Sequence, residues 1–286
     1  MLNRNLLDLL CCPACPEAAL EAEIREERDG GIVDADLRCS KCGASYPVRD
    51  TIPDMVSPSL MSADEWTAWQ QHLEGFQARR NKRIETPDAV INKFDKSLSM
   101  QQDFAAFTGI TSGCVLDVGC GPGKFRHRFP APGPEYIGID PIPLEECEGF
   151  PFMRALAEKL PVRRHSVDHV TVLGALDHFK DREAFMREVV RVLKPGGSFH
   201  LMQSVHEVRG PLSFLKWLAH ETKDALEDRT TKSEHADAPK HMHEYSRADL
   251  NELLTRYFRI EREKLYSPSL LNPYRLFVTM TPIEPG

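Results

Sequence analysis

Four cysteines form two closely spaced pairs, Cys12-x-x-Cys15 and Cys39-x-x-Cys42, with 23 residues between the pairs. Zinc binds four thiolates as a tetrahedron, and a Cys-x-x-Cys turn lets two sulfurs converge on one ion. Four cysteine ligands leave no open coordination position, so the pattern predicts a structural zinc site. The segment Asp29–Gly31 predicts the turn of a hairpin between the two pairs. The alternative interpretation is four unrelated reduced thiols.

A glycine-rich turn follows a predicted buried strand and contains Gly119, Gly121 and Gly123. Glycines at such a turn let the backbone approach a ligand closely. A dinucleotide-binding loop requires glycine or alanine at the sixth position of this pattern, where the chain has Lys124. A dehydrogenase loop therefore fits poorly, and the acidic Asp117 before the first glycine indicates a different class of cofactor site.

The pattern Asp-x-Gly-x-Gly-x-Gly at residues 117–123 resembles the first motif of class I S-adenosylmethionine-dependent methyltransferases. The likeness covers about residues 105–204 and implies an α/β fold with a Rossmann-like, doubly wound sheet of seven strands. Further segments follow in the order of that family: Tyr136–Asp140, Ala157–Pro161, Ser166–Leu173 and Leu193–Gly197, the last leading into a strand at 199–202.

The resemblance implies S-adenosyl-L-methionine as cofactor and assigns residues to it. Asp140 would accept hydrogen bonds from both ribose hydroxyls, and the turn after the third strand would line the adenine. Relatives often carry an aspartate just before that turn, where this chain has Leu156. Either Glu158 replaces it, or backbone amides and apolar walls hold the adenine. The predicted cofactor-binding residues are Asp117, Gly119, Gly121, Gly123, Asp140, Ala157, Glu158 and Leu173.

Histidines mark the predicted acceptor side. His178 follows the fourth strand, at the carboxyl edge where doubly wound sheets bind ligands. We predict that it contacts the acceptor as a general base, and the alternative is a structural histidine before the next helix. His241, His243 and Tyr245 resemble a segment near the acceptor pocket of related small-molecule methyltransferases. Residues 205–245 are predicted to form a lid-like insertion, with a packing helix as the alternative.

The N-terminal segment, residues 1–58, resembles the zinc-ribbon activator subunit of tRNA methyltransferase 112 type and its short bacterial relatives. In that family the module does no chemistry, and it packs on a methyltransferase and stabilises it. The resemblance implies that such an activator is here fused in cis and holds Zn²⁺, although some relatives lack the cysteines. The likeness rests on three segments, Leu6–Cys15, Leu37–Gly43 and Ser45–Met55.

Residues 59–104 are predicted to be a helical connector between the ribbon and a methyltransferase domain at 105–286. Ser62 and Glu65 have the spacing of a capping box. An apolar stripe at helical spacing favours burial against a neighbouring domain over a ligand platform, and it comprises Trp66, Trp69, Leu73 and Phe76. The basic run Arg79–Arg83 is interpreted as a solvated helix end, with a grip on acceptor phosphates as the alternative.

Composition sets further limits. The chain has 286 residues, 41% hydrophobic and 28% charged, which is typical of a globular protein of about two domains. Its net charge is −7, and residues 1–58 hold eleven acidic against six basic side chains. An acidic chain lacks the broad basic surface of nucleic-acid binders. No apolar stretch approaches the ~20 residues of a membrane span, and no secretory signal is evident, so a cytoplasmic monomer or homodimer is expected.

These features predict an S-adenosylmethionine-dependent methyltransferase that methylates oxygen or nitrogen of a small molecule, glycan unit or biosynthetic intermediate. An RNA methyltransferase with a built-in ribbon is the second hypothesis. The segment Leu173–Leu176 is not the Asn/Asp-Pro-Pro-Tyr motif of many base-nitrogen methyltransferases, which weighs against it. A non-catalytic scaffold is the third hypothesis, and Asp117, Asp140 and the three glycines argue against it.

Overall fold

The structure is a computed structural model in which the described residues form two β-sheets. It describes residues 1–56, 99–143, 149–206, 243–267 and 274–283, with isolated positions at 62, 64, 65, 67, 68, 71 and 75. Several predicted features lie outside these residues: the stripe Trp66, Trp69, Leu73 and Phe76, the run Arg79–Arg83, His241 and most of the lid-like insertion. The domain boundaries given above stay predictions.

The N-terminal part is a short helix, α1 (Arg4–Leu9), and a four-stranded antiparallel sheet in chain order. The predicted hairpin turn is confirmed, because Arg28 pairs with Gly31 and the intervening Asp29 and Gly30 have φ values of 52° and 78°. Glycine and aspartate tolerate this left-handed conformation. The strands are β1 (Leu20–Arg28), β2 (Gly31–Cys39), β3 (Ser45–Arg49) and β4 (Ile52–Pro53).

The large sheet has seven strands in the order β10-β11-β9-β8-β5-β6-β7. The described pairings are parallel except those of β11, which is antiparallel to both neighbours. This arrangement confirms the predicted class I methyltransferase fold. Its strands are β5 (Cys114–Val118), β6 (Glu135–Asp140), β7 (Phe152–Arg154), β8 (Val167–Leu173), β9 (Leu193–Val205), β10 (Phe258–Tyr266) and β11 (Tyr274–Pro282).

Helices cover both faces of the large sheet. Residues 99–108 are helical (α2), and Phe104 packs with Phe277 of β11 on one face. On the other face, α3 (Arg182–Val192) and α4 (Arg247–Thr255) pack on the sheet through residues such as Phe185 and Leu250. The run after the glycine turn is a five-residue 3₁₀ helix, Lys124–Arg128.

The capping box predicted at Ser62 and Glu65 is confirmed, and side chains cap two further helices. The Asp181 carboxylate accepts a hydrogen bond from the Ala184 amide at 2.8 Å, so α3 begins immediately after it. Ser246 and Asp249 form a reciprocal capping box at the start of α4. In the connector, the Glu65 amide donates to Ser62 Oγ at 3.3 Å, and the Ser62 amide donates to the Glu65 carboxylate at 2.9 Å. Each cap satisfies amides that a helix start leaves without partners.

The small sheet packs on the large one in two places. At the outer strand β7, the Met55 amide donates to the Arg154 carbonyl at 2.8 Å, and Arg154 Nη1 lies 2.7 Å from the Asp54 carboxylate. Near α1, Leu10 forms an antiparallel bridge with Val162. The first contact covers an edge strand whose backbone groups would otherwise face water. Buried apolar residues of both sheets form one continuous core.

Among the residues that the structure describes, no helix has both the length and the apolar character needed to cross a bilayer.

Two neighbouring strands of the large sheet, β8 and β9, bring together the half-buried His169 and the buried His200. His200 on β9 is 2% exposed, with its Nδ1 3.0 Å from Thr279 Oγ1 and its Nε2 3.3 Å from His169 Nδ1. Burial, together with the nearby His169 and Arg262 charges, lowers the pKa of His200 to about 3. Burial also lowers the pKa of His169.

From the lowered pKa of His200 we expect the free energy of unfolding to fall in acid. The unfolded chain protonates His200 near its ordinary pKa of about 6.5, whereas the folded chain resists protonation until about pH 3. The stabilisation is therefore complete above about pH 6.5 and is lost progressively as the pH falls towards 3. We expect wild type to lose about 2–3 kcal/mol more than His200→Asn between pH 7.5 and 4.5, measured by urea unfolding.

The control for this measurement is His165→Asn, which replaces an exposed histidine at φ 52°, a conformation that asparagine tolerates. Its stability should follow the wild-type pH dependence. Parallel profiles for wild type and His200→Asn would contradict the assignment of the acid sensitivity to His200.

Candidate cofactor and metal sites

The four cysteines of the small sheet come together in space. Their Sγ atoms all lie within 4.8 Å of one another, and those of Cys12 and Cys42 are 3.8 Å apart. A tetrahedral ion with Zn–S bonds of about 2.3 Å separates its sulfurs by about 3.8 Å. The donor set therefore fits a structural zinc ion, with Cys12 and Cys39 buried and Cys42 exposed.

Backbone amides also point at the cluster. The Lys41 and Cys42 amides donate to Cys39 Sγ at 3.4 Å each, and the Tyr46 hydroxyl lies 3.3 Å from Cys12 Sγ. Burial alone would raise the pKa of the Cys39 thiol, but these two amides together with side-chain hydrogen bonds to Cys42 and Cys12 outweigh it and bring the pKa to about 7. Burial raises the pKa of the Cys12 thiol, so these contacts favour the thiolate, the form that binds metal, at Cys39.

The glycine turn lies at the carboxyl edge of the large sheet. Gly119 has φ 73°, and a Cβ there would lie 2.4 Å from the Ala175 Cβ, so a side chain cannot fit. Gly121 has φ 50°, and nothing lies within 4 Å of the position of its Cβ. The turn is thus packed against the protein at Gly119 and open at Gly121, which leaves a backbone cradle that a ligand can approach.

Asp140 ends β6 beside this turn and holds it. Its carboxylate accepts from the Gly121 amide at 2.9 Å through Oδ2 and from the Ile142 amide at 2.9 Å through Oδ1. The residue is 7% exposed. Each carboxylate oxygen has a second acceptor position. The same side chain can therefore fix the turn and accept hydrogen bonds from a ligand diol.

Asp117, which the motif predicts to bind the cofactor, is buried inside the large sheet. It is 2% exposed and accepts from the Tyr136 hydroxyl at 2.5 Å and from Thr171 Oγ1 at 2.8 Å. Burial raises its pKa to about 6. Its described contacts are to neighbouring strands, so it would support a cofactor site by fixing β5 and the turn that follows. The motif itself gave no signal for Tyr136 and Thr171 as its partners.

The turn predicted to line adenine is a 3₁₀ helix, Ala157–Lys159, directly after β7 and a short link. Ala157 is buried, and the Glu158 carboxylate accepts from the Lys180 amide at 2.7 Å and the Asp181 amide at 3.3 Å. Burial raises the pKa of Glu158, against the lowering effect of these amides. Glu158 thereby ties this turn to the segment after β8. Its direct contact with adenine stays a prediction.

The acceptor-side candidates with described positions lie close together. His178 is in a 3₁₀ turn after β8, with its Nε2 3.9 Å from an oxygen of the buried Asp177. His243 donates its amide to the Asp177 carbonyl at 3.2 Å, and its Nε2 lies 3.0 Å from the Phe179 carbonyl oxygen. Tyr245 is 2% exposed and donates to the Leu176 carbonyl at 3.4 Å. His243 and Tyr245 therefore hold the His178 segment in place.

The same edge carries a residue that the sequence reading missed. Arg275 is the second residue of β11, lies opposite Ser204 of β9 and donates to its hydroxyl. Burial lowers the pKa of this guanidinium, while the field of Asp177 acts in the opposite direction. No sequence signal marked Arg275, because its approach to Asp177 depends on β11 entering the sheet antiparallel to β9.

The segment after β8 also meets the connector. Lys180 Nζ lies 2.6 Å from the Glu65 carboxylate, and this ion pair is the largest cause that holds the pKa of Glu65 at about 2. The start of the connector thus passes the edge of the sheet that carries His178.

Comparisons with known proteins agree with this geometry. Residues 116–201 match the profile of a family described as a methyltransferase domain. An uncharacterized methyltransferase of Mycobacterium sp. (strain JLS) is 37% identical over 112 residues, which are 36% of this chain and 44% of the relative. A human thiol S-methyltransferase is 34% identical over 131 residues, 41% of this chain and 52% of the relative. The chain therefore spans about half the length of these relatives.

Two solved structures share the fold. A Burkholderia thailandensis 1,6-didemethyltoxoflavin-N1-methyltransferase, solved with 1,6-didemethyltoxoflavin and S-adenosylhomocysteine, has a TM-score of 0.54 at 16% identity, covering 92% of this chain and 100% of that chain. A protein from Pyrococcus horikoshii OT3 has a TM-score of 0.50 at 19% identity, covering 68% of this chain and 92% of that chain.

Proposed function

We propose that this chain is an S-adenosylmethionine-dependent methyltransferase with a built-in zinc ribbon, and that its acceptor is a small molecule, a glycan unit or a biosynthetic intermediate. The observation that carries the proposal is the Asp140 carboxylate, which holds the open glycine turn at the switch point of a seven-stranded sheet. The methyltransferase-domain match over 116–201 supports it.

The residues fit this cofactor. Asp140 would accept from the ribose hydroxyls, the cradle at Gly121 would face the amino-acid portion, and buried Ala157 would offer an apolar wall to adenine. When bound, the cofactor supplies an electrophilic methyl group on a sulfonium. The main task of the protein is then to align the acceptor with the S–CH₃ bond and to exclude water.

His178 would act at the acceptor. It lies at the carboxyl edge of β8, and its side chain is 20% exposed. Its segment is fixed from outside. His243 contacts the backbone carbonyls of Asp177 and Phe179, and Tyr245 contacts that of Leu176. A fixed imidazole at this edge of the sheet suits removal of a proton from a hydroxyl or ammonium acceptor.

The predicted test of this role is His178→Asn. We expect turnover to fall about 100-fold, the typical contribution of a general base, while affinity for S-adenosylhomocysteine stays within twofold of wild type. Initial rates with labelled cofactor and calorimetric titration measure the two quantities. His165→Asn is the matched exposed-histidine control. Unchanged turnover in His178→Asn would leave His178 a structural residue.

The surface of the ribbon supports a small acceptor over RNA. On β1 the side chains of Glu21, Glu23, Glu26 and Glu27 are exposed. Arg25, which lies between them in sequence, is paired with Asp34 and Asp36 of β2. Glu26 and Glu27 are paired with Arg28 and Arg4, so the unbalanced negative charge of β1 lies at Glu21 and Glu23, where it disfavours a phosphate backbone. The proposed role of the ribbon is to stabilise the large sheet by covering β7.

The proposal is tested by transfer of labelled methyl groups from S-adenosylmethionine into an extract of the source organism, separated into RNA, protein, glycolipid and small-molecule fractions. Label in the small-molecule or glycolipid fraction supports the proposal. Label in RNA would replace the proposed acceptor class. Binding of S-adenosylhomocysteine with no label in any fraction would favour a non-catalytic scaffold.

A further inference from the structure

The segment Leu160–Val162 lies between the two predicted sites. It directly follows the 3₁₀ turn Ala157–Lys159, which is the proposed adenine wall. On its other side it contacts the ribbon, because the Cys11 amide donates to the Pro161 carbonyl at 3.1 Å and Leu10 bridges to Val162. Cys11 immediately precedes the first cysteine of the four-sulfur cluster.

Two charged side chains of α3 hold this segment by its backbone. Arg191 donates to the Val162 carbonyl at 2.6 Å through Nη1 and to the Leu160 carbonyl at 2.9 Å through Nη2. Glu188 accepts from the Leu160 amide at 2.8 Å. The two side chains are 2.7 Å apart and only 9% and 15% exposed. One buried ion pair thus satisfies three backbone groups of the segment.

The desolvation cost of the Glu188–Arg191 ion pair indicates that it has a specific structural role. Removing two charges from water is expensive, and apolar residues of similar volume often stabilise a fold as well or better. At this place, however, apolar residues would leave two carbonyls and an amide without partners. Burial alone would lower the pKa of Arg191, but Glu188 raises it, so the guanidinium stays charged.

The adenine wall is consequently fixed at both ends. Glu158 ties it to the amides of Lys180 and Asp181 at the start of α3, while Glu188 and Arg191 tie the next residues to the last turns of the same helix. Hydrogen bonds therefore attach the segment 157–162 to both ends of α3.

We propose that Glu188 and Arg191 are positioning residues of the cofactor site, which hold the backbone of Leu160–Val162 so that the adenine wall and the docked ribbon share one fixed frame. This proposal rests on the proposed function, since it concerns the same cofactor. It assigns to the pair an effect on cofactor affinity in addition to any effect on stability.

The test compares Arg191→Met with Arg187→Met in the full chain. Arg187 lies one turn earlier on α3, is 58% exposed and pairs with Glu183, so its loss leaves the segment untouched. We expect Arg191→Met to bind S-adenosylhomocysteine about tenfold more weakly by calorimetry, a change of about 1.4 kcal/mol. The control should bind as wild type does. Hydrogen exchange should become faster at the Leu160 and Cys11 amides in Arg191→Met alone.

If Arg191→Met does not fold, a second variant, Arg191→Lys, provides the test. Arg191→Lys keeps the charge but cannot reach both carbonyls with a planar fork, so an intermediate loss of affinity is expected. Equal affinities and equal exchange in folded Arg191→Met or Arg191→Lys and in the control would overturn the positioning role. If wild type itself failed to bind S-adenosylhomocysteine, the proposed function would be wrong, and faster exchange at Leu160 would still report on the backbone contact.

Discussion

Asp140→Asn should bind S-adenosylhomocysteine about 100-fold more weakly than wild type, a change of about 2.7 kcal/mol. The Asp140 carboxylate accepts from the Gly121 and Ile142 amides, and in the proposed site it would also accept from the ribose diol. An asparagine turns one of these oxygens into a donor, which faces an amide donor of the protein. Hydrogen bonds to a charged group contribute about 1.5–3 kcal/mol each, so losing one or two accounts for the expected change.

The measurement is isothermal titration of the purified chain, with Asp168→Asn as the matched control. Asp168 is also a strand aspartate that accepts from a backbone amide, that of Cys114 at 2.8 Å, and it pairs with Lys194. It lies at the start of β8, at the opposite edge of the sheet. Asp168→Asn should lower stability but keep wild-type affinity. Wild-type affinity in Asp140→Asn would remove Asp140 from the cofactor site.

Cys12→Ser should abolish binding of one zinc ion per chain and lower the melting temperature by about 10 °C. The four sulfurs lie within 4.8 Å of one another, so one ion would join the two cysteine turns. Loss of a structural metal is among the mechanisms that reach about 4 kcal/mol in a single substitution. At about 2–4 °C per kcal/mol, this gives the expected shift.

Metal content by elemental analysis and thermal unfolding by circular dichroism test this expectation. Cys11→Ser is the matched control, because Cys11 is adjacent and equally buried but lies outside the cluster. It should retain zinc. Wild-type protein purified without metal, with a melting temperature that added zinc does not change, would contradict the zinc assignment and leave a cluster of reduced thiols.

These two expectations concern features that short segments of sequence encode. The cysteine pattern spans 31 residues, the glycine turn and Asp140 lie within 24 residues, and each cap at Ser62, Asp181 and Ser246 is specified within four residues. Local geometry links such residues directly: a Cys-x-x-Cys turn brings two sulfurs together, and a capping side chain reaches an amide three residues later. The seven-stranded fold was also predictable, because its motifs follow in a fixed order along the chain.

The tertiary structure decided the contacts between distant segments. Nothing in the sequence indicates that Arg154 pairs with Asp54, 100 residues earlier, or that Arg191 holds carbonyls 29 and 31 residues before it. Glu188 and Arg191 have the spacing of an ordinary helical ion pair, and Asp117 gave no sign that Tyr136 and Thr171 bind it. Such contacts depend on how the chain crosses from one layer to the next. A side chain can form these contacts only after the core has fixed the distance between the sheets and the helices.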